Sequence, residues 1–389
     1  MADSATSELT YGSAYRLSLD SILAAAAEIG ASDVHLSAGR VALVRLNGDL
    51  APLPGHGMLL GGEWLEPALL QIMGSDKRAE FLAEREVDLS YSLPDGQRVR
   101  VNVYREHEGI AAAMRLVPRS VPSLDDLGVP EVAARLAMKP RGLVLVTGPT
   151  GSGKSTTLAA MIDLLNSRRA GHIVTVEDPI EYVHQSRRCL IHQREIGTDS
   201  HSFASALREV LRQDPDVVMI GELRDPESIA IALTAAETGQ LVLGTLHTQG
   251  AAKSIDRIID SFPASQQNQV RAQLGETLQG VISQLLLPRR DGLGRVLATE
   301  VLVHTDAVAN LVRECQVPQL QTVMQTSSKL GMRTLDQSLQ ELVRKGWVDL
   351  SLAQEYASRE GVLTPASVAS VSSLPSGWAQ AESKWRAAP

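Results

Sequence analysis

Aromatic side chains make up only 3% of this chain, cysteine occurs twice, and nothing in the 389 residues approaches an uninterrupted apolar run of 18. Each scarcity removes a class of protein. Without a long apolar run there is no candidate membrane-spanning helix, and the opening MADSATSELT is acidic and polar rather than a basic stretch leading into an apolar core. A soluble, cytoplasmic protein is expected. Cys189 and Cys315 stand far apart with no C-x-x-C spacing, so neither a disulfide framework nor a zinc site is indicated, and both are expected to be ordinary buried thiols. A net charge of -8 with so few rings for base stacking leaves no basic stripe, and no nucleic-acid partner is expected.

What is present divides the chain. Its length suits two or three domains, each with its own core. Residues 1–17 read as a flexible N-terminus, and residues 18–116 as a small α+β domain. It starts with LDSILAAAAEIG, which has helical apolar spacing and a stop at Gly30. In QRVRVNVY, Val99, Val101 and Val103 alternate with Arg98, Arg100, Asn102 and Tyr104, so one strand face is apolar and the other basic and polar. A proline-containing linker covers 117–130. From 131 to 360, strand-like runs (LVLVT, HIVTV, VVMI, LVLGT) alternate with helical stretches, the pattern of a parallel α/β sheet whose chemistry sits at strand carboxyl ends. Beyond residue 251 the pattern is mostly helical, including the whole of SQQNQVRAQLGETLQGVISQLL, with one strand at GRVLATEVLV. The Ser-, Ala- and Pro-rich stretch 361–389, with Trp378 and Trp385, is expected to be disordered.

Strand LVLVT runs straight into GPTGSGKST, residues 148–156, which satisfies G-x-x-x-x-G-K-[ST]. In such a loop Gly148, Gly151 and Gly153 allow backbone N–H groups to turn toward phosphate oxygens. Pro149, Thr150, Ser152 and Thr156 complete the cradle, Lys154 reaches the β and γ phosphates, and the Ser155 hydroxyl ligates Mg²⁺. A loop alone binds nucleotide; hydrolysis also needs a positioned water and a held metal. In VTVEDPIEYVH three carboxylates crowd the end of an apolar strand, and Glu177 there can accept the proton of a water. Asp178 and Glu181 are candidates for capping or for pairing with arginines. VVMI delivers Glu222 to the same edge, with Gly221 standing where a metal-binding Asp is usual, so Glu222 is assigned to both magnesium and water. LVLGT delivers His247, either to sense the γ phosphate or to satisfy a neighbouring carbonyl.

ASDVHLSAG, GPTGSGKST, VEDPIEYVH, QREIGTD, DPDVVMIGELRD, LTAAETGQLVLGTLHT and LGMRTLDQSL together resemble the PilT-like type IV pilus retraction ATPases of the secretion ATPase superfamily, from about residue 18 to 358. The resemblance implies a RecA-like ATPase core behind a smaller PAS-like domain, ATP and Mg²⁺ as cofactors, and a homohexamer with nucleotide at subunit junctions. It also implies docking at the inner face of the cytoplasmic membrane on a platform protein of the pilus; a paralogous retraction ATPase is a further candidate partner, raised by the departure at Ala309 described below. Glu177, Glu222 and His247 fall on the family's Asp box, Walker B region and His box, and Arg100 and Arg115 on arginines that reach nucleotide phosphates. Two other occupations of such a core are a nucleic-acid translocase and a pilus assembly or secretion ATPase; the acidic balance counts against the first, and the absence of paired C-x-x-C motifs against the second. One departure stands out: the family's AIRNLIRE is AVANLVRE here, with Ala309 in place of an arginine expected on the helix surface.

Overall fold

A computed structural model describes residues 18–46, 48–359 and 361–365, and the chain divides into two compact units between Arg119 and Ser120. The flexible N-terminus expected at 1–17, together with Trp378 and Trp385, lies outside the described residues.

The first unit begins with helix α1 (Leu19–Glu28), whose N-terminus is closed by reciprocal hydrogen bonds between Ser18 and Ser21. Strands β1 (Asp33–Ser37), β2 (Leu43–Leu46) and β3 (Asp49–Pro52) follow, then helices α2 (Gly62–Gln71) and α3 (Ser75–Glu84), then strands β4 (Glu86–Ser92), β5 (Arg98–Glu106) and β6 (Gly109–Leu116). They form one antiparallel sheet in the order β3-β2-β1-β6-β5-β4. Alternation in β5 is realised: Val99, Val101 and Val103 are buried with Ile22, Leu65 and Phe81, while Arg98, Arg100 and Asn102 occupy the other face. Register places Arg100 directly beside Arg115 of β6.

The second unit holds a seven-stranded sheet. Its elements are α4 (Val132–Ala137), β7 (Gly142–Thr147), α5 (Lys154–Arg168), β8 (Gly171–Glu177), β9 (Cys189–Glu195), α6 (Phe203–Val210), β10 (Val217–Ile220), α7 (Pro226–Thr238), β11 (Leu241–Leu246), α8 (Ala251–Asp260), α9 (Ala264–Thr277), β12 (Leu278–Pro288), β13 (Arg295–Val303), α10 (Asp306–Arg313), α11 (Leu320–Thr326), α12 (Leu335–Arg344) and α13 (Leu350–Glu355). The sheet order is β13-β12-β7-β11-β10-β8-β9, parallel throughout except for β13. Every residue of β7, β10 and β11 is buried, which is why they read as unbroken apolar runs rather than alternating ones: helices cover both faces of a parallel sheet.

Four expectations need correction. The stretch 265–286 is not one helix; it breaks between Thr277 and Leu278 into α9 and β12, because Leu278, Val281 and Ile282 are drawn into the sheet between β7 and β13. The ordered chain runs past 361: Leu363 is fully buried with Leu339 and Leu342, and its carbonyl accepts a hydrogen bond from Gln354 at 2.8 Å. Cys315 is exposed, in a left-handed backbone conformation just after α10, whereas Cys189 is buried as expected. Ala309 is not on a solvated helix face; it is buried with Val308 and Val312 on the side of α10 that packs against α9.

Candidate active site

Because β7, β8, β10 and β11 run parallel and in register, their carboxyl ends deliver Thr147, Glu177, Ile220 and Leu246 to one edge, and the loops beyond them line a cavity of about 380 Å³. The phosphate loop forms one side. Gly148 (φ 139°) takes a conformation open to glycine, and a Cβ there would lie 2.3 Å from the Gln284 carbonyl oxygen and 2.7 Å from Ser152 Oγ. Gly151 and Gly153 also have positive φ, at 78° and 87°. Lys154 donates to the Gly148 and Pro149 carbonyls at 2.8 and 2.9 Å, folding the loop around its own ammonium. Burial pushes the Lys154 pKa down, against the pull of Glu222 and Glu181. The Ser152 hydroxyl is buried with no hydrogen-bond partner among the described residues. A glycine cradle, an unsatisfied hydroxyl and a lysine held on weak carbonyl acceptors together suit a phosphate chain. Thr156 accepts a hydrogen bond from Tyr182 at 3.2 Å, and Thr150 and Ser155 line the cavity.

Opposite the loop stand the carboxylates. Glu177 is buried; its Oε1 accepts from Thr175 Oγ1 at 2.7 Å and Gln193 Nε2 at 3.1 Å, and its Oε2 from the Glu181 N–H at 3.4 Å. Burial raises its pKa above the ordinary carboxylate value despite those three donors. Glu222 is held at both oxygens: Arg224 Nε donates to Oε2 at 2.7 Å, and His247 Nε2 lies 3.1 Å from Oε1. His247 thus meets a carboxylate rather than a carbonyl. Gly221 sits tightly: a Cβ there would come within 3.3 Å of the Glu177 Cα and the Val176 carbonyl oxygen, so the aspartate its position suggests would need that backbone to give by a few tenths of an ångström. Asp178 and Glu181 are exposed at the cavity rim.

The structure therefore brings the phosphate loop, Glu177, Glu222 and His247 to one cavity. Arg100 and Arg115 belong to the other unit. There Arg115 Nε pairs with Asp33 at 2.9 Å. Sequence inspection missed Arg224, Tyr182, Thr175 and Gln193; all four lie within stretches already singled out, but Thr175 and Gln193 gain their meaning only from strand register.

Phosphoryl transfer asks for a cradle for the phosphates, a group to hold metal and a base for water, and a parallel sheet that supplies all three from adjacent strand ends is a RecA-like P-loop ATPase. Comparison with known proteins narrows this. The family profile described as "Type II/IV secretion system protein" matches residues 12–357. The type IV pilus retraction ATPase PilT of Pseudomonas aeruginosa is 48% identical over 343 residues, 88% of this chain and 98% of PilT. The type IV pilus ATPase PilU of the same organism is 38% identical over 341 residues, 88% of this chain and 89% of PilU. A crystal structure of the pilus retraction motor PilT with bound ADP superposes with a TM-score of 0.82 at 43% identity, covering 88% of this chain and 98% of that one. The chain belongs to the type II/IV secretion system protein family, as a PilT-like ATPase.

Proposed function

We propose that this chain is the subunit of a homohexameric ATPase motor that powers type IV pilus retraction and hence twitching motility. The observation that carries the reading is the joint presence of a complete phosphate loop and two strand-end carboxylates within a chain that matches PilT along nearly its whole length. The nucleic-acid translocase and assembly-ATPase alternatives have no comparable support.

In this reading Gly148 to Thr156 wrap the phosphates through backbone N–H groups, and Lys154 leaves its carbonyl acceptors for the β and γ phosphates. Ser155 and Glu222 would hold Mg²⁺, which keeps most of its water and needs only one or two protein oxygens. When bound, the ion neutralises charge on the phosphate oxygens. Glu222, held at Oε2 by Arg224 and at Oε1 by His247, would offer the ion one of these oxygens, and His247 would sense the occupant of that oxygen. Glu177 takes the proton of the attacking water; the water oxygen bonds to the γ phosphorus, and the bridging oxygen leaves with ADP and its electron pair. Arg100 and Arg115 supply positive charge to a neighbouring subunit's nucleotide, a need that one lysine leaves unmet.

No helix among the described residues is long and apolar enough to cross a membrane. Placement in the cytoplasm against the inner membrane face therefore rests on a partner, the pilus platform protein, with a PilU-like paralogue as a further component. The reading is tested by deleting the gene from its host and counting surface pili alongside surface movement. Excess pili without movement support it, and loss of pili points to assembly instead.

A further inference from the structure

Glu177 and Thr175 lie two residues apart on β8 and so share one face of the sheet, and Gln193 is the direct register partner of Thr175 on the neighbouring strand β9. Three side chains from two strands therefore converge, and their hydrogen bonds are unequal. Oε1 of Glu177 takes the Thr175 hydroxyl at 2.7 Å and the Gln193 amide at 3.1 Å, which fills its two acceptor sites. Among the described residues, Oε2 takes only the Glu181 N–H, at 3.4 Å. The Gln193 amide is itself fixed: its Nε2 also donates to the Tyr182 carbonyl at 2.8 Å, and its Oε1 accepts from the His184 N–H at 2.8 Å. That N–H requires an oxygen, so the amide cannot flip. The loop after Glu177 is thereby tied to β9 through the same residue that holds the carboxylate.

We infer that Thr175 and Gln193 are positioning residues for the reaction: by saturating Oε1 from two strands they fix the carboxylate plane and leave Oε2 as the oxygen that receives the proton of water. The inference rests on the role proposed above for Glu177. Neither residue lines the cavity, so their loss acts on turnover and leaves nucleotide affinity alone. Both bonds also favour the ionised form. The other charged or titratable groups around Glu177 are Asp178, Glu181, Tyr182 and His184 in the following loop, Glu195 beside it on β9, and Lys154 and Glu222 across the cavity, and all of these stay unaltered in the variants.

The test uses the purified full chain with Thr175→Val, Gln193→Leu, the pair together, Thr175→Ser and Glu177→Gln, each measured for kcat, KM for ATP, ADP affinity and the pH dependence of kcat. The expected result is a kcat roughly tenfold or more lower in the double variant, with KM and ADP affinity within about twofold and the acid limb moved to higher pH. Thr175→Ser, which keeps the hydroxyl, recovers most of the rate lost in Thr175→Val. If Glu177→Gln is inactive while the double variant keeps kcat within about twofold, positioning by Thr175 and Gln193 is wrong and the base assignment stands. If Glu177→Gln keeps full kcat, the base assignment fails and takes this inference with it. Should the double variant not fold, equal kcat in Thr175→Val and Thr175→Ser overturns the inference by itself.

Discussion

Two acidic side chains at neighbouring strand ends have been placed in different surroundings. Glu177 is sunk below the cavity wall among neutral donors, and burial raises its pKa, whereas Glu222 is gripped by Arg224 and His247. A base must ionise before it can accept a proton, and raising its pKa moves the loss of activity toward neutrality as pH falls. The acid limb of kcat is therefore expected to lie above the ordinary glutamate value of 4.5, and a limb below it in a folded enzyme would remove Glu177 from the role of base. Lys154→Ala is expected to abolish productive ATP binding, since the only ammonium in the loop is lost. Glu222→Gln is expected instead to bind ATP and turn it over ~10²-fold or more slowly. Nucleotide binding by fluorescence titration and steady-state hydrolysis separate the two cases, and near-normal turnover in Glu222→Gln would exclude it from the catalytic set.

At the level of elements, the strand ends work because register across β7, β11, β10 and β8 is unbroken, and that register depends on close backbone packing. Gly280 in β12 shows how close: a Cβ there would lie 2.8 Å from the Leu302 carbonyl oxygen and 2.8 Å from Leu136 Cδ1. Gly280→Ala is expected to destabilise the second unit by about 1–3 kcal/mol, read by chemical denaturation, because a backbone oxygen has nowhere to retreat. A change under a few tenths of a kcal/mol would mean that β12 yields more easily than its neighbours suggest. The phosphate loop and the carboxylate strand ends were legible in the chain because a buried apolar run that stops at a charge marks both the strand and its functional end. The stretch 265–286 was not legible: apolar spacing alone cannot separate a buried helix from a buried strand, and the choice at Leu278 was made by the vacancy between β7 and β13. Gln193 escaped notice for a related reason, since its meaning lies in which strand it faces. Ala309 looked like a surface position because a helix pattern carries no record of which neighbour, here α9, covers the second side.

For the whole molecule, the second unit supplies a site whose glycine-rich loop carries one lysine, Lys154, while the first carries Arg100 and Arg115 side by side on the polar face of its sheet. If those arginines complete the site of a neighbouring subunit, damage to each partner should be separable. Mixed oligomers of an Arg100→Ala, Arg115→Ala chain with a Lys154→Ala chain are expected to regain ATPase that neither has alone, because some junctions pair an intact loop with intact arginines. No regain in verified mixed rings would remove the action between subunits. The central claim, that hydrolysis at this cavity drives pilus withdrawal, is tested most directly by measuring pulling force and retraction speed of single pili. The comparison is between a host carrying this chain and the same host carrying Glu222→Gln at equal abundance. The account predicts frequent retraction with the parent chain and almost none with the variant, on a surface that still bears pili; undiminished retraction with a variant shown to lack turnover would contradict it.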